Sequence, residues 1–304
     1  MTQQTSEIQQ LREMASLKEI KSRIQSVKST QKITSAMKMV SSAKLRKAQR
    51  QIESFYPYEQ KLTHILNNFL SAEETEVTSI YATQREVKRV AIVAFSSNSS
   101  LCGSFNSNVA KDLKTKVNEY KHLGNENILI FPIGKKIAQS VKKMGFPVEE
   151  SFEEMMDKPN YKDSQTLANR LMEMFRLNEV DRIELIYYHF VSKSSQVLVS
   201  EPFLPIELNA NDKKHSIHQQ NYLIEPDRLT ILGELIPKVI RLKLYTALLD
   251  SAASEHAART IAMQTATDNA DDLLQDLNLQ FNKSRQQAIT NELLDIIGGS
   301  FGQS

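Results

Sequence analysis

Few side chains of this chain could make, break or hold a bond. Cys102 is the single cysteine. It follows the strand-like run Val90–Phe95, where a nucleophile could sit, but no motif places a base beside it, so it reads as a small buried residue. Among the six histidines, only His215 and His218 are close in sequence, in a polar segment without a cysteine or carboxylate at a ligand spacing. His256 falls on the apolar seam of a helix and reads as a packed or inter-helix polar residue. The segment Ser96-Ser97-Asn98-Ser99-Ser100-Leu101-Cys102-Gly103-Ser104 follows the first strand, the usual phosphate position of a parallel α/β domain. It holds one glycine and no G-x-G-x-x-G, and the chain has no G-x-x-x-x-G-K-[ST]. It therefore reads as a helix-capping loop or a protein contact. The adjacent Asp271 and Asp272 read as a solvated helix face. No catalytic residue, metal or cofactor is expected.

The elements that would position these residues are more telling. Met1 to Tyr56 and Lys238 to Ile297 contain neither glycine nor proline. As one helix, the second stretch would run roughly 90 Å at 1.5 Å per residue, far beyond an ordinary globular helix. Alternating steps of three and four link Leu242, Tyr245, Leu249, Ala252, His256, Arg259, Met263, Ala266, Ala270, Leu273 and Leu277, a coiled-coil spacing. In the first stretch Leu17, Ile20, Ile24 and Val27 form one stripe. Ile33, Met37 and Val40 form a second, displaced by a third of a turn or more, which predicts an irregular coiled coil. Lys18 to Arg50 carries ten basic residues and one acid, whereas Asp250 to Asp295 carries eight acids and three basic residues. Helices of opposite charge are natural partners, and a compact insert between them favours an antiparallel pair. Pro237 is expected as a first-turn proline or a kink.

The middle alternates strand and helix. Strands are expected at Arg89–Phe95, Asn127–Ile133 and Arg182–Val191, with an edge strand at Gln196–Glu207 because Pro202 and Pro205 forbid a central one. Helices are expected at Asn106–Leu123 with Asn106 as cap, at Gly134–Met144, and at Ser164–Leu177 behind an Asp/Ser cap. That order implies a mostly parallel sheet with helices on its faces. Ala72–Glu86 and Asn209–Asn221 read as polar connectors. The domain division is 1–13, an extension; 14–72, the N-terminal coiled-coil helix; 87–208, a Rossmann-like α/β domain; 222–298, the C-terminal coiled-coil helix; and 299–304, a flexible tail. A net charge of +2 gives no strong field, one cysteine fits a reducing compartment, and no apolar run approaches membrane-spanning length. From the residues alone, two other classes stay open. A basic coiled coil could bind nucleic acid with a steep salt dependence, and a divergent α/β enzyme would bind a small molecule.

Several segments resemble the gamma subunit of F-type ATP synthase. They are Ile20-Lys21-Ser22-Arg23-Ile24 through Thr30-Gln31-Lys32-Ile33-Thr34-Ser35-Ala36-Met37-Lys38-Met39-Val40; Ala253-Ser254-Glu255-His256-Ala257-Ala258-Arg259 with Ala266-Thr267-Asp268-Asn269; Phe281-Asn282-Lys283-Ser284-Arg285 through Leu293; and Leu101-Cys102-Gly103. The resemblance implies the fold class named above, with the terminal helices as a long antiparallel coiled coil. It implies a non-catalytic rotor of a proton-translocating enzyme, turning inside an alpha–beta hexamer, with the α/β domain against the epsilon subunit and the c-ring. It implies a peripheral location on the cytoplasmic face of a bacterial inner membrane. By motif match Met37 and Lys38 would lie near the moving lever of beta. Arg285, Gln286, Thr290 and Glu292 would make polar contacts with catalytic-subunit loops, and Leu293, Leu294, Ile296 and Ile297 would sit in an apolar bearing. Leu101, Cys102 and Gly103 mark the foot loop, which departs from the family's Asp-Arg-Gly-Leu-Cys-Gly-Gly turn at Asn98, Ser99, Ser100 and Ser104. The family pattern starts near Met14, so Met1–Glu13 is an added helical turn or two, a flexible tail or a mis-assigned start.

Overall fold

A computed structural model of the chain describes residues 2–71, 79–148, 152–206, 225 and 227–301. His215, His218 and the connector 209–221 lie outside the described residues, as does 72–78. The chain divides into two compact units, Met1–Val40 with Thr260–Ser304, and Ser41–Arg259. Two helices contribute to both: α1, Thr2–Ser71, and α6, Arg228–Phe301. Each passes a proline, Pro57 in α1 and Pro237 in α6. A proline inside a helix loses one backbone bond and crowds the carbonyl four residues back. For Pro237 that residue is Gly233, where an added Cβ would meet nothing within 4 Å. Pro237 is therefore internal rather than first-turn. The helix also runs through Gly298 and Gly299 to Phe301, because glycine weakens a helix by about 1 kcal/mol without removing a hydrogen bond.

In the first unit the two helices are antiparallel. Gln31 bonds Asp271, Thr34 bonds Thr267, and Lys38 bonds Gln264, so numbers rise along α1 as they fall along α6. The α1 seam is regular rather than irregular. Leu17, Ile20, Ile24 and Val27 are half-buried and continue in the same step to Gln31, Thr34 and Lys38. The second apolar stripe does not take over, for Ile33 and Val40 stay 59% and 58% exposed. On α6 the seam runs Met263, Thr267, Ala270, Leu274, Leu277. Leu273 is 47% exposed and Leu274 replaces it, since steps of four then three after Ala270 keep the heptad phase that Met263 sets. Among the described residues the charged stretches are joined here by hydrogen bonds.

The second unit holds a sheet of β1 (Val90–Phe95), β2 (Ile128–Ile133), β3 (Arg182–Phe190) and β4 (Gln196–Leu204) in the order β2-β1-β3-β4. β1 pairs both neighbours in parallel, and β4 closes one edge antiparallel, with Pro202 beside Glu184. The continuous apolar run of β1 is buried throughout, as expected of a strand covered on both faces. On one face Val90, Ile92 and Ala94 pack against α2 (Phe105–Glu119) and α3 (Lys135–Lys143). On the other, Ala91, Val93 and Phe95 meet the short α4 (Glu153–Asp157), α5 (Tyr161–Arg176) and the Leu232–Ala252 part of α6. Two caps differ from expectation. Asn160, not an Asp or Ser, caps α5 by accepting the Asp163 N–H at 2.9 Å. Asn106 lies inside α2 and turns its side chain back to Ser97. Farther along α1, Leu45 and Ala48 pack against Ala253 and Ala257, where small side chains let two backbones approach.

Candidate interaction surface

The loop after β1 is occupied by its own side chains. Ser96 Oγ accepts the Ile137 N–H at 2.8 Å, and Asn98 Oδ1 accepts the Lys135 N–H at 2.9 Å. These are first-turn donors of α3, the groups that would otherwise face an anion. The loop is thus a cap, for α3 rather than for α2. Gly134 permits it, because its φ is +106° and a Cβ there would stand 2.1 Å from the Ser96 carbonyl oxygen. Asn98 Nδ2 donates to the Glu153 carbonyl at 2.7 Å, tying the loop to α4. Cys102 is buried beside Asn106, whose Nδ2 lies 3.1 Å from its sulfur. Leu101 and Gly103 have φ of +67° and +60°. That backbone turns Leu101 outward, 58% exposed, at the tip of an otherwise tied loop.

Arg259 holds the same loop from α6. Its Nη1 donates to Glu255 Oε1 at 2.5 Å, while Nη2 reaches Ser99 Oγ at 2.8 Å and the Ser99 and Ser100 carbonyls at 3.3 and 3.4 Å. Arg and Glu side chains are 9% and 7% exposed. Burial holds Glu255 above the usual carboxylate range, an effect that Arg259 only partly offsets. Next to it, burial first, then Lys44 and Arg259, depress His256 to about 4, so it is neutral at pH 7. His256 is half-buried. Sequence reasoning placed Arg259 in the helix seam but missed its grip on the loop. A lone arginine in a seam was the available signal.

The motif-matched residues divide by exposure. Lys38 is half-buried in the seam, its Nζ 2.7 Å from Gln264 Oε1, and Met37 is half-buried at its border. Arg285, Gln286, Thr290 and Glu292 are exposed, and Thr290 Oγ1 donates to the Gln286 carbonyl at 2.9 Å. Leu293, Leu294 and Ile297 are large apolar side chains more than half exposed. The Ile296 side chain lies outside the described residues. Clustered apolar exposure of this kind marks an interaction surface. Ile33, Met39 and Val40 are likewise exposed on α1. The second unit contributes Leu101.

A family profile described as ATP synthase matches residues 16–301. A Phocaeicola vulgatus protein named ATP synthase gamma chain is 58% identical over 258 residues, covering 84% of this chain and 89% of the relative. The Parabacteroides distasonis protein of the same name is 49% identical over 257 residues, covering 84% and 88%. Among solved structures, a chain of the Euglena gracilis mitochondrial ATP synthase (OSCP/F1/c-ring) superposes with a TM-score of 0.65 at 21% identity, covering 95% of each chain. A chain of the Tetrahymena thermophila central stalk and c-ring gives 0.56 at 24% identity, covering 77% of this chain and 99% of the other. At those identities the superpositions show the shared fold, whereas the sequence relatives and the family profile carry the assignment. On that basis the chain belongs to the ATP synthase gamma chain family.

Proposed function

We propose that this chain is the central-stalk rotor of a proton-translocating ATP synthase and performs no bond-making chemistry itself. The observation that carries the reading is the antiparallel pairing of α1 and α6 with the apolar side chains of Leu293, Leu294 and Ile297 left uncovered. The lengths of α1 before Pro57 and of α6 after Pro237 contain no proline, and their continuous backbone bonding gives torsional stiffness. An apolar tip can turn in an apolar sleeve, because hydrophobic attraction has no preferred direction. Arg285, Gln286, Thr290 and Glu292 would touch catalytic-subunit loops through hydrogen bonds. Each is worth about 0.5–1.5 kcal/mol net, or about 1.5–3 when charged, weak enough to break at every step. Met37 and Lys38 would lie beside the lever of beta, with Lys38 also serving the seam. Ile296 would join the bearing. Leu101, on a loop held by Arg259 and by α3, would be a fixed contact point for a partner of the α/β unit. The partners are alpha, beta, epsilon and the c-ring. With these partners the chain would lie on the cytoplasmic face of a bacterial inner membrane; no described helix is long and apolar enough to cross a membrane.

Gentle detergent extraction of membranes, with a tag on this chain and identification of co-purifying chains, tests the proposal. Recovery with alpha, beta, epsilon and c supports it. Recovery on nucleic acid, released steeply by salt, or of the chain with none of those subunits would overturn it.

A further inference from the structure

We infer that the polar contacts between α1 and α6 set the rotational phase of α1 over residues 31–40, and so decide which apolar side chains of that stretch face outward. α1 offers two apolar rows to the seam. Leu17, Ile20, Ile24 and Val27 make one, and carried onward in steps of three and four that row becomes Gln31, Thr34 and Lys38. Ile33, Met37 and Val40 make the other, displaced by roughly 130° at 100° per residue. Along residues 31–40, where the first row turns polar, apolar burial alone would turn the second row inward, even though Leu17, Ile20, Ile24 and Val27 hold the first row in the seam on the preceding turns. The helix does not roll.

The polar row is held by directed bonds. Gln31 Nε2 donates to Asp271 Oδ1. The Thr34 and Thr267 hydroxyls are 2.9 Å apart, and Lys38 Nζ donates to Gln264 Oε1 at 2.7 Å. Each partner is itself oriented. Thr34 Oγ1 lies 3.0 Å from the Gln31 carbonyl and Thr267 Oγ1 2.8 Å from the Met263 carbonyl, so one hydroxyl donates to its own helix and accepts the single proton that the other donates across the seam; Gln264 Nε2 donates to Asp268 Oδ1 at 2.6 Å. Thr34 is buried, so a roll would strip a buried hydroxyl of its cross-helix partner. Apolar side chains accept many neighbours, whereas these rungs close in one phase only, as a single polar seam residue fixes register in other coiled coils. The cost in apolar burial leaves Ile33, Met39 and Val40 at 59%, 64% and 58% exposure. That these three then meet surrounding subunits rests on the rotor reading; the phase itself does not.

The test uses the full-length chain carrying Thr34→Cys and Thr267→Cys, whose thiols replace the middle rung. Cys102 is buried and stays silent. Under mild oxidation the pair should form its disulfide readily. Asp271→Ala with Gln264→Ala, which removes the outer rungs from the α6 side, should slow it about tenfold, the fold-change expected for two modest hydrogen bonds. Adding Ile33→Ala and Val40→Ala should restore the rate, because the competing row is gone. An unchanged rate without the outer rungs overturns the inference. So does failure of the alanine pair to restore it, which would mean that the helices part rather than roll. Either result leaves the co-purification test of rotor function untouched.

Discussion

Replacing Arg259 by methionine should destabilise the second unit more than most single substitutions, and replacing its partner as well should recover much of the loss. Arg259 and Glu255 are almost wholly buried and ion-paired at 2.5 Å. Removing one member of such a pair strands the other, at a cost of about 3–5 kcal/mol, whereas exchanging both for apolar residues of similar volume is often near neutral. Here the double change also gives up the Arg259 contacts to Ser99 and Ser100, at about 1 kcal/mol each for the better-aligned ones. Arg259→Met should therefore cost about 4 kcal/mol, and Arg259→Met with Glu255→Leu about 1–2 kcal/mol. The single variant should also depend on pH. Glu255 is already raised by burial, and without the guanidinium it rises further. A carboxylate raised in the folded state supports folding at low pH, and that support is lost as pH climbs through the raised value. Arg259→Met should accordingly be nearer to wild type at pH 5 than at pH 8. Urea unfolding of the full chain, followed by far-ultraviolet circular dichroism at both pH values, measures all three quantities. A single variant within about 1 kcal/mol of wild type would refute the reasoning, since stranding a buried charge cannot be that cheap. So would a double variant less stable than the single.

Other predictions rest on separate features. His256 is depressed from 6.5 to about 4, so its contribution is intact above about pH 6.5 and is lost as pH falls toward 4. The total is about 3 kcal/mol. The stability difference between wild type and His256→Gln should shrink by that amount between pH 7 and pH 4 in urea titrations; a constant difference would show that the imidazole is not buried neutral. Leu274→Ala should lower the stability of the helix pair by about 2–3 kcal/mol, and Leu273→Ala by under about 0.5 kcal/mol. Equal thermal shifts for the two would place the α6 seam wrongly. Gly134→Ala should cost well over the ~1 kcal/mol of an ordinary loop change, because the new Cβ meets the Ser96 carbonyl; an unchanged melting temperature would argue against the capped loop.

Much of the architecture was legible because it depends on local, repeated physics. Breaker-free stretches made the two long helices readable, and the apolar run Val90–Phe95 made a central strand readable, since a parallel strand is covered on both faces. Pro202 placed an edge strand. The loop after β1 reads as a helix cap or a protein contact; it caps, but which helix it caps was not readable. Asn106 is a better local cap than the distant Lys135 N–H looks from sequence, and only the parallel β1–β2 pairing brings α3 to Ser96 and Asn98. Arg259's grip on Ser99 spans 160 positions, a closure that no periodicity encodes.

The amino-acid order by itself determined the two rods, the alternating middle and, through its motifs, the family. It could not decide the rotation of α1. Apolar patterning favours Ile33, Met37 and Val40 in the seam, while Gln31, Thr34 and Lys38 become favourable there only opposite Asp271, Thr267 and Gln264. Hydrophobic gain is a property of each residue's burial and can be read one position at a time. A hydrogen bond is a property of a pair, and its worth exists only once the fold has brought both partners to the same rung.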